Sequence, residues 1–190
     1  RQRNVGGRRG RGGGKWRWMG VADKNRGIGN TGQLLPNGPE VRRMFREENK
    51  GKGVVMGRKT LESLPGGQPL VKRTNIILSR DTDLTVKGAI VCRSVEEALK
   101  ACEGYADEDI FIAGGETIYR QFLPCCDIAH VTALDYAYQA DTFFPNLDED
   151  PDWVLAAEGD EQTCFDLCYT FRMYCRKNAV KKAVRMIQGR

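Results

Sequence analysis

Histidine is almost missing from this chain: His130 is the only one. A zinc site of the usual kind takes imidazoles or closely paired thiolates, and the seven cysteines are scattered at Cys92, Cys102, Cys125, Cys126, Cys164, Cys168 and Cys175. With one histidine, and with a C-x-x-x-C spacing and an adjacent pair as the only groupings, no metal site is expected. The thiols read as reduced groups in a core. His130 opens an apolar segment and reads as a partly buried structural residue. No window approaches the roughly 20 apolar residues that span a bilayer, and no apolar signal centre precedes the first strand. A cytoplasmic protein without a membrane partner is expected.

Acidic residues are absent from the first 17 positions, which hold seven of the 30 cations that give the chain its formal charge of +5. The remaining body is nearly neutral. Glycine and arginine without apolar neighbours cannot offset the entropy of ordering, so residues 1–15 are expected to be a disordered tail. One domain is expected over 16–178, followed by a basic C-terminal extension, 179–190. A neutral body gives no basic face, so nucleic acid is not expected as a partner, and a monomer is. Asp148 to Asp152 is an acidic run broken by Pro151, without the glycine spacing of a calcium loop, and reads as a solvated loop.

The apolar share of 41% is ordinary for a globular chain, and its arrangement is informative. Val54-Val55-Met56 leads into Gly57-Arg58-Lys59-Thr60-Leu61-Glu62. A β-branched apolar run reads as a buried strand, the glycine as a turn, and the following polar segment as a helix start whose free N–H groups can face an anion. The order recurs in Ile110-Phe111-Ile112-Ala113-Gly114-Gly115-Glu116-Thr117-Ile118. Neither unit is a P-loop or a G-x-G-x-x-G fingerprint. Two of them nevertheless place two glycine turns at one edge of a parallel sheet, where nucleotides bind.

Further strands are expected at Met19 to Ala22, Asn75 to Leu78, Ile90 to Cys92, Ala129 to Leu134 and Phe171 to Arg176. Helices are expected at Pro39 to Glu48, Arg58 to Glu62, Ser94 to Cys102 and Thr117 to Leu123. Ser94 and Glu97 form a capping-box pattern, and Asp23 to Gly32 reads as a loop. Alternation of this kind predicts an α/β fold with helices on both faces of a mostly parallel sheet.

These stretches, together with Gly27-Ile28-Gly29-Asn30, Arg73-Thr74-Asn75-Ile76-Ile77-Leu78-Ser79 and Asp141-Thr142-Phe143-Phe144-Pro145, resemble bacterial dihydrofolate reductases in order and spacing, especially those of Gram-positive, clostridium-like bacteria. The resemblance implies a single-domain fold with an eight-stranded sheet and an antiparallel C-terminal strand. It implies reduction of 7,8-dihydrofolate to tetrahydrofolate by NADPH, a step in one-carbon metabolism. On the family pattern the cofactor meets Ile28, Gly57, Arg58, Lys59, Thr60, Leu78, Ser79, Arg80, Arg93, Gly114, Gly115, Glu116, Thr117 and Ile118. The bond between Gly114 and Gly115 is expected to be cis, and the 2′-phosphate to meet Arg58, Ser79 and Arg80.

For the substrate, the resemblance implies Met19, Val21, Leu34, Phe45, Leu70, Arg73 and Ala113, with Arg73 gripping the glutamate carboxylate and Thr132 supporting the pterin. Residues 28–35 correspond to the loop that closes over nicotinamide. The chain departs from the pattern four positions before Phe45, where the family has an acid that binds the pterin and assists protonation, and this sequence has Val41. Glu40 is the neighbouring carboxylate, but on a regular helix it points about 100° away. Pro36, Gly38 and Arg42 are further departures, and Trp16-Arg17-Trp18 is an unusual entry to the first strand. A catalytically weak homologue that binds nucleotide or folate is the alternative reading.

Overall fold

The computed structural model describes residues 16–30, 33–34, 50–105, 109–164 and 166–189. The strands are β1 (Trp16–Ala22), β2 (Gly27–Asn30), β3 (Gln33–Leu34), β4 (Gly53–Gly57), β5 (Thr74–Leu78), β6 (Ala89–Cys92), β7 (Ile110–Ile112), β8 (Cys126–Leu134), β9 (Thr142–Phe143), β10 (Trp153–Glu158), β11 (Gln162–Cys164) and β12 (Leu167–Arg176). The helices are α1 (Arg58–Ser63), α2 (Val95–Ala101), α3 (Glu116–Phe122) and α4 (Val180–Gln188). The expected helix at Pro39 to Glu48 lies outside the described residues.

One large sheet runs in the order β10-β12-β8-β1-β7-β4-β5-β6. From β8 to β6 all neighbours are parallel, while β12 is antiparallel to both β8 and β10. The expected antiparallel strand at Phe171 to Arg176 is therefore the second half of β12. The β11 hairpin onto β12 adds a ninth strand beyond the eight expected.

Two readings are corrected, and two further elements appear. The first strand begins at Trp16, not Met19, because both tryptophans are buried and pair with β8. Asp23 to Gly32 contains β2 rather than being all loop; its partners β3 and β9 complete a small second sheet, and Thr142 and Phe143 of β9 lie far away in sequence. Trp153–Glu158 is an edge strand, paired among the described residues with β12 alone. Most of the C-terminal extension is a helix, whose Ala183 is fully buried beside Ile128, Met173 and Cys175.

Side-chain alternation along the strands divides the core. Trp18, Val55, Ile76 and Ile112 face α2 and α3, where they meet Ala98, Ile118 and Phe122. The indole of Trp18 stacks on Trp153 at 5.3 Å and takes the edges of Tyr119 and Phe144 at 6.1 and 5.5 Å. On the other face Val54, Met56 and Ile77 pack with Leu61 of α1, Leu70 and Ala113. Arg17, the last cation of the basic run, lies within β1 with its guanidinium 5.5 Å from the Phe111 ring centre.

Helix α2 shows how a local signal is altered by its neighbours. Ser94 Oγ accepts from the Glu97 N–H at 3.1 Å as a capping box requires, but Glu97 Oε2 reaches one residue further back, to the Arg93 N–H at 2.8 Å.

Candidate functional site

The two glycine turns lie side by side. β4 and β7 are parallel neighbours, so Gly57 and Gly114 leave the sheet at the same edge, and the Gly57 N–H donates to the Gly114 carbonyl at 2.9 Å. The Gly114–Gly115 peptide is cis, as the resemblance implied. A Cβ on Gly115 would enter the space between the turns, 3.8 Å from Thr60 Oγ1, and one on Gly57 would meet Ile118 at 3.1 Å. Ile118 and Leu78 are buried, so they support this edge from beneath.

Gly114 has φ +108, and its Cβ would lie 3.1 Å from the Tyr119 ring. Gly114→Ala is expected to destabilise the fold by about 1–3 kcal/mol through backbone strain and displacement of that ring, as read from urea unfolding. Unchanged stability would show that the turn relaxes freely.

Along the same edge β5 ends before Ser79 and Arg80, and β6 before Arg93; the Ser79 N–H donates to the Cys92 carbonyl at 2.9 Å. The sheet thus brings Arg58, Lys59, Ser79, Arg80 and Arg93 to the ends of three adjacent strands. Their charge is not unopposed. Arg58 Nε lies 3.0 Å from Glu62 Oε1 and its Nη1 3.2 Å from Asp81 Oδ2, and Arg93 donates to the Thr82 carbonyl. Glu116 meets Arg120 at 2.8 Å, while Thr117 is exposed.

Met19, Val21, Leu70 and Ala113 share the α1 side of the sheet. Met19 and Val21 project from β1 on the same face, with Val21 directly opposite Thr132 of β8. Thr132 is 3% exposed, so it is a buried polar residue rather than a surface one. Leu70 and Ala113 pack in one cluster across from them. Arg73 is half-buried before β5, its Nη1 donating to the Val71 carbonyl at 2.6 Å. Ile28 is packed into the core on the α3 side. Leu34 ends β3, paired with Gly29. Glu40, Val41 and Phe45 lie outside the described residues.

Two supporting residues carry no sequence signal. Tyr119 donates its hydroxyl to the Met19 carbonyl at 2.8 Å, tying α3 to the wall strand β1, and complete burial pushes its phenol well above the usual range. Asp23 is a buried carboxylate: Oδ1 accepts the N–H groups of Asn25 and Gly27 at 2.8 and 2.7 Å, and Oδ2 accepts that of Tyr138 at 2.9 Å. It holds the root of β2 to the chain between β8 and β9. Among the thiols, burial pushes Cys102 up to about 12, which leaves it unreactive near neutral pH. No group of three or more metal-ligating side chains converges among the described residues, and no helix among them is long and apolar enough to cross a membrane.

A parallel sheet with paired glycine turns and a row of basic side chains at its carboxyl edge defines an α/β protein of the nucleotide-binding class. A family model described as dihydrofolate reductase matches residues 18–176. The chain is 37% identical over 158 residues to the dihydrofolate reductase of Staphylococcus haemolyticus, covering 81% of this chain and 91% of the relative. It is 39% identical over 164 residues to dihydrofolate reductase HdrB of Haloferax volcanii, covering 83% and 80%. A dihydrofolate reductase from Enterococcus faecalis, solved with NADP(H) and RAB-propyl, superposes with a TM-score of 0.76 at 28% identity, over 86% of this chain and 96% of that one. The chain belongs to the dihydrofolate reductase family of NADPH-dependent oxidoreductases.

Proposed function

We propose that the protein reduces 7,8-dihydrofolate to 5,6,7,8-tetrahydrofolate with NADPH. The observation that carries this reading is the pair of joined glycine turns beside Arg58, Ser79 and Arg80, in a chain of this family. NADPH supplies the hydride when bound, and the protein supplies position and electrostatics. The fit is chemical: the turns at Gly57-Arg58 and Gly114-Gly115 carry no side chain at their glycines, which lets a pyrophosphate approach their backbone, and Arg58, Arg80 and Ser79 offer donors to a phosphate. Glu116, Thr117 and Lys59 follow the two turns at the helix starts. Leu78, Ile28 and Ile118 provide apolar support to the nucleotide, and Arg93 adds charge at its adenosine end.

On the substrate side Met19, Val21, Leu70 and Ala113, with Leu34 and Phe45, wall the pterin and benzoyl groups. Arg73 takes the terminal carboxylate, a planar fork matched to a planar anion. Thr132 holds the pterin hydrogen bonds. The acid that would assist protonation is replaced by Val41, with Glu40 one residue away, and this favours a second reading in which binding is retained and turnover is slow. The folded domain, 16–178 with α4 packed on its sheet, acts as a cytoplasmic monomer, with dihydrofolate and not nucleic acid as its partner.

Oxidation of NADPH by the purified protein on addition of dihydrofolate tests the reaction. Clear preference for NADPH over NADH in calorimetric titration is expected, and Arg58→Ala is expected to weaken NADPH by about 1–3 kcal/mol while leaving NADH nearly unchanged. Equal affinity for the two cofactors before mutation would remove the phosphate site from this edge.

A further inference from the structure

The charge row at the carboxyl edge contains an acid that the cofactor reading does not use. Asp81 Oδ2 receives a hydrogen bond from Arg58 Nη1 at 3.2 Å, while Asp81 is itself held in place: its N–H donates to Ser79 Oγ at 3.2 Å, and its Oδ1 accepts the Asp83 N–H at 3.0 Å. Arg58 Nε is taken by Glu62 at 3.0 Å. Two edges of the guanidinium are thereby occupied by carboxylates from within the chain.

We propose that Asp81 is a specificity-determining residue: a tethered competitor anion for Arg58, which limits how strongly the protein prefers a 2′-phosphorylated nucleotide over an unphosphorylated one. The inference rests on the assignment of Arg58 and Ser79 to that phosphate.

Opposing effects decide its sign. Asp81 orients Arg58, which would help a phosphate bind, but both side chains are about half exposed, 49% and 45%, and exposed ion pairs contribute little. Parting them is easy. Moving the Asp81 carboxylate away is harder, because its Oδ1 accepts the Asp83 N–H, while the Asp81 N–H donates to the Ser79 hydroxyl assigned to the phosphate and keeps the residue beside it. Glu62 differs, since it reaches Arg58 from the next turn of α1 without such a tether and can swing aside. A phosphate monoester carries nearly two negative charges at neutral pH, so its approach to a fixed carboxylate is repulsive, and this outweighs the modest gain from orienting Arg58. A cofactor without the 2′-phosphate feels little of this.

Asp81→Asn removes the charge and retains an oxygen for the Asp83 N–H. Calorimetric titration of NADPH and NADH into the parent protein, Asp81→Asn and Arg58→Ala, at low and high ionic strength, tests the inference. Asp81→Asn is expected to tighten NADPH about five- to tenfold at low ionic strength, tenfold being about 1.4 kcal/mol, with NADH changed less than about twofold and the gain shrinking as salt screens the repulsion. If the parent shows no preference for NADPH, or Arg58→Ala leaves NADPH affinity unchanged, the phosphate-site assignment falls and the inference with it. If the preference and its dependence on Arg58 hold, but Asp81→Asn binds NADPH equally or more weakly, Asp81 is an orienting partner and the inference alone is overturned.

Discussion

Val41→Asp is expected to raise dihydrofolate turnover at least about tenfold, a barrier change of about 1.4 kcal/mol. Reduction adds a hydride to carbon and a proton to the neighbouring ring nitrogen, and a positioned acid or base commonly contributes roughly a hundred- to ten-thousand-fold to such a step. On the proposed placement of position 41, valine would supply neither a proton path nor an acceptor for the pterin amino and ring N–H groups, and buried donors without acceptors cost binding as well. The gain should be largest near neutral pH, where unassisted protonation of the substrate is slow. Val41→Asn is the control, because it restores an acceptor without an ionisable group, so a gain confined to aspartate assigns the effect to proton delivery. Steady-state kinetics against pH reads both variants. A fully active parent whose activity is abolished by Glu40→Gln would instead make Glu40 the working acid.

Trp18→Ala is expected to cost about 3–5 kcal/mol of unfolding free energy, a large share of the roughly 5–15 kcal/mol that holds a domain of this kind together. Trp18 is fully buried and stacked on Trp153, with Tyr119 and Phe144 against its edges. It therefore joins three elements: wall strand β1, edge strand β10 and helix α3. Its indole Nε1 has no hydrogen-bond partner among the described residues, so truncation orphans no acceptor there and the loss is one of packing. Trp18→Phe should recover part of it. Equilibrium urea unfolding measures each variant, and a loss below about 1 kcal/mol would show that the ring cluster collapses around the cavity. Because Trp153 shares the contact, Trp18→Ala and Trp153→Ala should be less than additive.

The parts of the fold that are legible in the sequence are those whose signals are local. An apolar β-branched run, a glycine and a polar amphipathic segment lie within about ten residues of one another, and both such units folded as expected, at β4-α1 and β7-α3. The start of α2 was similarly readable from Ser94, although the destination of the Glu97 carboxylate was not. The cis peptide and the antiparallel β12 followed from family resemblance rather than from the residues themselves.

Local signals failed where structure comes from distant partners. Trp153–Glu158 becomes a strand because β12 offers it an edge, and β2 is a strand because β9, more than ten residues beyond β8's start and far from β2, lies beside it. The basic extension, 179–190, gave no local sign of its packing, which comes from Ala183 of α4 buried beside Ile128, Met173 and Cys175. Sequence by itself determined the βα order, the glycine turns and the identity of the charges gathered at the carboxyl edge, since these depend on residue type and short spacing. Only the tertiary structure decided that Asp23 is a buried acceptor for three N–H groups, that Tyr119 anchors β1, and that Asp81 faces Arg58. A sequence records which side chains carry charge or hydrogen-bonding groups, but distance and burial set what those groups do, and both are fixed only when strands remote in the chain become neighbours in the sheet.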